Sequence, residues 1–200
     1  PDGKTMFFTR CPYDDSKVNV AECYEIKRSG GRWGEPVRVI PGGDSTMMVA
    51  HPAISPDGNT LYFVSDREGG LGGKDIYVTN RNTDNSWSEP ENLGAMVNTQ
   101  GDELFPYVRD NGELYFSSNG HPNYGGLDIF KAVKNEGDRY VVTNMGLPIN
   151  SNLDDFGILF EGNRERGFFS SNRGNSKGVD NIYSFELPEV VLSLETSLRS

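Results

Sequence analysis

The chain of 200 residues has two cysteines, two histidines and no run of 18 apolar residues, and each shortage excludes a class of protein. Two cysteines cannot staple a disulfide scaffold, and Cys11 and Cys23 lack the paired spacing of a zinc site. They are either bridged, if adjacent hairpin strands bring them together in an oxidising compartment, or two unpaired thiols. Without a long apolar run there is no helical membrane span. The opening "PDGKTMFF" has no initiator Met and neither the basic nor the apolar part of a signal peptide, which suits a mature or excised segment. Basic side chains are scarce as well. Nineteen Lys and Arg against 29 Asp and Glu give a net charge of -10, so a nucleic acid is repelled, and no local basic patch offsets the average. Helical periodicity is missing throughout.

What the chain does have is a repeat, and enough apolar side chains, 35% with 11% aromatic, to bury a core. The stretch "VSDREGGLGGKDIY" from Val64 returns as "SSNGHPNYGGLDIF" from Ser117 and "SSNRGNSKGVDNIY" from Ser170, each start 53 residues after the last. The aromatic pairs Tyr62-Phe63, Tyr115-Phe116 and Phe168-Phe169 keep that step, and Tyr24 stands one period before Tyr77. "RWGEP" at Arg32 matches "SWSEP" at Ser86, with Tyr140 one period after Trp87. A fixed period of this size marks a repeat architecture.

Each unit reads as strands. In the second unit "HPAIS" is a short extended piece, "PDG" is turn chemistry, and "TLYFVS" is an unbroken β-rich apolar run, the pattern of a strand covered on both faces. A glycine-rich loop, the strand "DIYVTN" and a Pro-containing outer strand "SWSEPENLG" complete it. Four antiparallel strands per unit, each unit unable to bury its faces alone, predict an all-β fold: a β-propeller of four-stranded blades. Residues 1–187 hold about four blades, the first without its inner strand and the last without a clear outer one, and 188–200 are an outer strand or a linker. A six-bladed complete ring is expected, with a four-bladed ring as the alternative.

The glycine cluster at 69–73 is not a phosphate loop. Glu68 stands where the first glycine of such a loop belongs, and Lys74 leads into Asp75 and a strand instead of a helix. The other copies replace the cluster and keep one glycine, Gly72, Gly125 and Gly178, read here as a turn glycine in a loop between second and third strands.

Pro56-Asp57-Gly58, the strand Leu61 to Val64, Ser65-Asp66-Arg67 with Ser171-Asn172-Arg173, and Asp75-Ile76-Tyr77 resemble the TolB-type, WD-like propeller repeat over roughly residues 1–187. The loop "GGLGGKDIY", the connectors "NTQGDELFPY" and "NSNLDDFG" and the tail "SFELPEVVLSLE" are similar to the propeller of outer-membrane OmpA-family proteins of Bacteroidetes, including the peptidoglycan-binding component of type IX secretion. That resemblance implies a periplasmic, outer-membrane-associated setting and a scaffold role with protein partners. Glycan or peptidoglycan is contacted only through domains these residues do not contain. TolB-like propellers also precede prolyl oligopeptidase-type hydrolase domains, which keeps a gating domain, and a glycan-binding ring face, as alternatives.

Candidate binding residues are those that recur at the ring mouth. Asp102-Glu103 and Asp154-Asp155, with Asp44 in the first unit, pair carboxylates that suit ion or glycoside chemistry, or cap loops once per blade. Asp66, Arg67, Asn119, Asn172 and Arg173 recur after the second strand, where an arginine cluster recognises carboxylates or bridges blades. His51 and His121 occupy non-equivalent positions with no triad or metal partner in the sequence, and Trp33, Trp87 and Tyr140 read as packing anchors. No catalytic residue, metal or cofactor is expected, and the module is expected to be non-enzymatic.

Overall fold

The computed structural model describes residues 3–11, 20–43, 45–174 and 179–188. Apart from one 3-10 turn at Pro41–Gly43, all its regular structure is β-strand, gathered into four small antiparallel sheets, the blades of a propeller. Blade 1 pairs β1 (Thr5–Arg10) with β2 (Glu22–Ser29), whose other edge carries the short β3 (Arg32–Trp33) and β4 (Val37–Val39). Blade 2 runs β5 (Ala50–Ile54), β6 (Thr60–Ser65), β7 (Asp75–Asn80), β8 (Glu91–Asn92). Blade 3 runs β9 (Glu103–Val108), β10 (Leu114–Ser118), β11 (Asp128–Lys134), β12 (Tyr140–Asn144). Blade 4 has β13 (Asp155–Phe160), β14 (Arg166–Ser171) and β15 (Asn181–Glu186). By register β1 and β2 match second and third strands, so blade 1 has no inner strand among the described residues. The tail "VVLSLETSLRS", Asp44 and Gly178 lie outside the described residues.

The hairpin turns follow from their residues. At "SPDG" the Asp57 carboxylate accepts from the Asn59 N–H and the Ser55 hydroxyl, and Gly58 takes the positive φ of 76° that closes the turn. The core is three layers between neighbouring blades. Cys23, Leu61, Phe63 and Tyr77 fill the layer between blades 1 and 2; Val64, Ile76, Leu114 and Phe116 the next; Tyr115, Ile129, Phe160 and Phe169 the third. All five residues of β10 are buried, Leu114 and Phe116 towards blade 2 and Tyr115 towards blade 4. That explains why the second strands read as unbroken apolar runs: each covered Leu or Phe contributes about 1.5–3 kcal/mol, and every strand has two faces to cover.

The inner strands β5, β9 and β13 pack on one another in order, and each bulges at the same place. The bulge residues are His51 (φ 47°), Phe105 (φ 52°) and Gly157 (φ 64°). The cysteines do lie on or beside adjacent strands, but Cys23 faces Thr9 across the ladder while Cys11 lies beyond the strand end, exposed. Both thiols are free, and burial, then the nearby Glu25 charge, pushes the Cys23 thiol up to about 12.

Candidate functional site

All nine residues singled out as binding candidates lie on one rim, where loops from second to third strand meet the connectors entering the next blade. The meeting is close. Gly73 N–H donates to Gly101 O at 2.9 Å and Gly126 N–H to Leu153 O at 3.2 Å. A Cβ on Gly72 would collide with the carbonyls of Thr99 and Gly101, and one on Gly125 with that of Leu153. Neither glycine has a positive φ. The retained glycine is therefore needed for backbone approach to the next blade, a correction to its reading as a turn glycine.

The acidic pairs are consumed by this architecture. Buried Glu103 accepts from Thr99 N–H and the Thr99 and Ser118 hydroxyls at 2.6–2.8 Å; buried Asp155 accepts from Ser151 N–H and Oγ and from Arg173. Asp154 accepts from Leu127 N–H and Asn172 Nδ2, and Asp102 pairs with Lys74 at 3.5 Å. Asn119 and Asn172 cap the connectors, their Oδ1 atoms accepting from Asp102 and Asp154 N–H. Asp66 is exposed at the start of its loop.

Two buried asparagines that the sequence reading missed complete the rim. Asn98 Oδ1 accepts from Ile76 N–H at 2.8 Å and its Nδ2 donates to Ile76 O at 2.9 Å; Asn150 does the same to Ile129. Each amide thus supplies the missing partner of one third-strand N–H and shares that residue's C=O with the Leu93 or Met145 N–H, just where the outer strand peels away.

The arginines are not brought together. Arg67 lies over its own blade's rings, 4.8 Å from the Tyr77 centroid and 5.2 Å from Phe63. Arg173 lies likewise over Phe169 and Tyr183, at 4.9 and 5.4 Å, and donates to the carbonyls of Pro148 and Ile149. Blade 3 fills this place with His121, 5.0 and 5.8 Å from Phe130 and Phe116, its Nε2 2.8 Å from Val97 O. The two arginines therefore form no carboxylate receptor. His121 is their structural equivalent in blade 3, and His51, on an inner-strand bulge, is not.

At the entrance to the axis three rings stack across three blades. His51 lies 4.1 Å from Phe105 at 11°, and Phe105 5.0 Å from Phe156 at 30°. All three are half-buried. Phe105 N–H donates to His51 Nδ1 at 3.3 Å, and burial, then Lys74, holds His51 below its ordinary value, so the ring is neutral.

The same rim is apolar outside the loops' contacts: Met96, Tyr124, Leu147 and Leu153 are exposed, Tyr124 by 55%. The opposite rim carries turns tied by inter-blade ion pairs, Arg81 to Glu25 at 3.3 Å and Arg109 to Glu165 at 2.9 Å, around clefts of 370 and 340 Å³, with Trp33 its exposed aromatic. Trp87 and Tyr140 are half-buried anchors: Trp87 packs edge-on against Phe7 and under Arg81, and Tyr140 against the layer between blades 2 and 3. Among the described residues no group of His, Cys, Asp or Glu could hold a metal ion, and no helix is long and apolar enough to cross a membrane.

No family model matches the chain, and no curated protein matches it. Among solved structures it is similar to an alpha-L-arabinofuranosidase from Lactobacillus brevis, with a TM-score of 0.52 and 12% identity over 92% of this chain and 69% of that one. It also aligns with a puromycin hydrolase S511A mutant complexed with PGG, at 9% identity and a TM-score of 0.36, over 82% of this chain and 40% of that one. The first likeness shows the propeller arrangement and nothing finer; the TolB-type and OmpA-family assignments gain no support from it. It does overturn the expectation of a non-enzymatic module. A solved chain similar in fold is an enzyme's, so blade repetition gives no ground for excluding catalysis.

Proposed function

We propose that this chain is a propeller module that docks a protein partner on the rim formed by the Gly72 and Gly125 loops, within a periplasmic protein associated with a bacterial outer membrane. One observation carries the reading: exposed Tyr124, Leu153, Leu147 and Met96 stand on loops braced by backbone contact with the next blade, whereas the opposite rim spends its charges on its own ion pairs. An apolar surface held rigid in advance loses little entropy on binding. The envelope setting, including a role in type IX secretion or anchoring, is supported by the resemblance of the loops and connectors to OmpA-family propellers. Membership of a larger, six-bladed ring is supported by the bare outer face of blade 4, where Leu159, Phe168 and Ile182 are exposed. Such a rim serves an enzyme as well as a scaffold.

The test is chemical cross-linking of the protein in envelope extract, followed by affinity measurement with the partner identified. Replacing Tyr124 and Leu153 together by Asp should weaken binding by about thirtyfold or more, the size of a lost aromatic hot spot. Trp33→Ser on the opposite rim should leave it unchanged. Equal binding by the Asp variant and the native protein would refute the assignment.

A further inference from the structure

Blade 3 departs from blades 1 and 2 at its outer strand. In those two the strand is broken at the proline of "RWGEP" and "SWSEP". Across Pro36 the pairing slips by one residue, from Arg28 opposite Trp33 to Glu25 opposite Val37. Across Pro90 it slips likewise, from Asn80 opposite Ser88 to Val78 opposite Glu91. Prolines, short strands and slips of this kind keep an exposed sheet edge from pairing with another chain. Blade 3 has none of these among its described residues. Thr143 stands one period after Pro90, and the chain is one residue shorter here. Asn92 and Asn144, which make the same bond to Asp75 and Asp128, lie five residues after Trp87 and four after Tyr140. β12 therefore pairs with β11 without a break, from Lys134 opposite Tyr140 to Phe130 opposite Asn144.

Two bonds fix which backbone groups face β11: Asn135 N–H donates to Arg139 O at 2.9 Å, and Met145 N–H to Ile129 O at 3.0 Å. Antiparallel pairing alternates, so Val141 and Thr143 bond inward while the N–H and C=O of Tyr140, Val142 and Asn144 point out of the sheet edge. Those outward groups have no hydrogen-bond partner among the described residues. β12 carries no charged side chain, and Val141 on it is 51% exposed. We infer that this edge pairs with the same edge of a second copy of the chain, antiparallel about a two-fold axis at Val142. The outward groups are their own complement: Val142 faces Val142, and Tyr140 faces Asn144 both ways. Val141 then lies opposite Thr143, a β-branched cross-strand pair. The charged hairpin residues Asp138 and Arg139 fall opposite Gly146 and Met145, so no like charges meet. An unrelated strand would find the same backbone groups without the matched side chains, so a second copy is the occupant. Such pairing is separate from docking at the rim and needs no partner protein.

The experiment is sedimentation velocity of the protein from about 5 to about 500 μM at about 0.15 M salt, where the net charge of -10 on each copy is screened beyond about 8 Å. A five-residue edge is a small contact, so a reversible dimer with a Kd on the order of 10–100 μM is expected. Hydrogen exchange over the same range should show protection rising with concentration at the Tyr140, Val142 and Asn144 amides and unchanged at Val141 and Thr143. Val142→Pro takes away a donor that serves no bond within blade 3 and should weaken the dimer about tenfold or more, its fold checked by thermal melting. Val141→Glu with Thr143→Glu sets like charges opposite each other at exposed positions and should do the same. Mixing that variant with one carrying Val141→Lys and Thr143→Lys should restore a one-to-one dimer. A native protein that stays monomeric, a dimer that both variants retain, or Val142 protection that is high at every concentration overturns the inference, the last by showing that another segment covers the edge.

Discussion

Blades 3 and 4 are built on one repeat and live in different surroundings. Ile129 in blade 3 and Ile182 in blade 4 stand at the same register position, opposite Ser117 and Ser170, yet Ile129 is 0% exposed and Ile182 77%. Tyr115 and Phe168 repeat the contrast, the first buried against blade 4, the second on the bare side of blade 4. The sequence of a propeller strand therefore encodes two apolar faces whether or not a neighbour covers both. Identity at a repeat position does not carry equal energetic weight.

The largest effect expected from this contrast is at the isoleucines themselves. Ile129→Ala should cost about 2–5 kcal/mol, the lost burial plus the cavity left behind, while Ile182→Ala should stay within about 0.5 kcal/mol. Urea unfolding of both variants measures the difference, and equal losses would break the comparison. Next comes the amide that clamps Ile129. Asn150→Ala leaves the buried Ile129 N–H without its partner, worth about 1–3 kcal/mol, while the Ile129 C=O keeps the Met145 N–H at 3.0 Å. A loss of about 1–3 kcal/mol in the same assay is expected. A near-neutral result would mean that the strand relaxes to find other partners.

How much of this was legible beforehand divides along the same lines. The period of 53, the two-faced strands and, among the described residues, the missing inner strand of blade 1 follow from side chains that recur in register, because covalent spacing alone reports them. The site residues were harder. His121 hides its equivalence to Arg67 and Arg173 because the chain has one extra residue before it, 54 after Arg67 and 52 before Arg173, so a fixed step passes over it. Blade 4 marks its bulge with Gly157, but the bulges of blades 2 and 3 are hidden because nothing in His51 or Phe105 requires a left-handed backbone. Asn98 and Asn150 lay inside quoted connectors, but the neighbouring acids drew attention as chemistry when their oxygens were already committed to the backbone. What sequence spacing lacks in each case is the neighbouring blade, whose carbonyls decide which polar groups remain free.

The smallest expected effect distinguishes the junctions at the axis. Between blades 2 and 3 the Phe105 N–H donates to His51 Nδ1, whereas blade 4 places Gly157 at the equivalent bulge. His51 is held below its ordinary value of 6.5 by burial first and by Lys74 second. A histidine depressed in this way stabilises the folded state above its unfolded value, and that stabilisation is lost as pH falls through the folded value. Protonated Nδ1 cannot accept, so the Phe105 hydrogen bond breaks and the imidazolium meets the positive Lys74. Amide exchange should therefore show the protection factor of Phe105 falling as pH drops below about 6.5, with that of Ile129, held by the non-titrating Asn150, unchanged. His51→Phe would keep the stacking and remove the pH response, leaving the two junctions alike. The same pH dependence of protection at Phe105 in the native protein and in His51→Phe would show that the ring contacts, and not the imidazole nitrogen, hold blades 2 and 3 together at the axis.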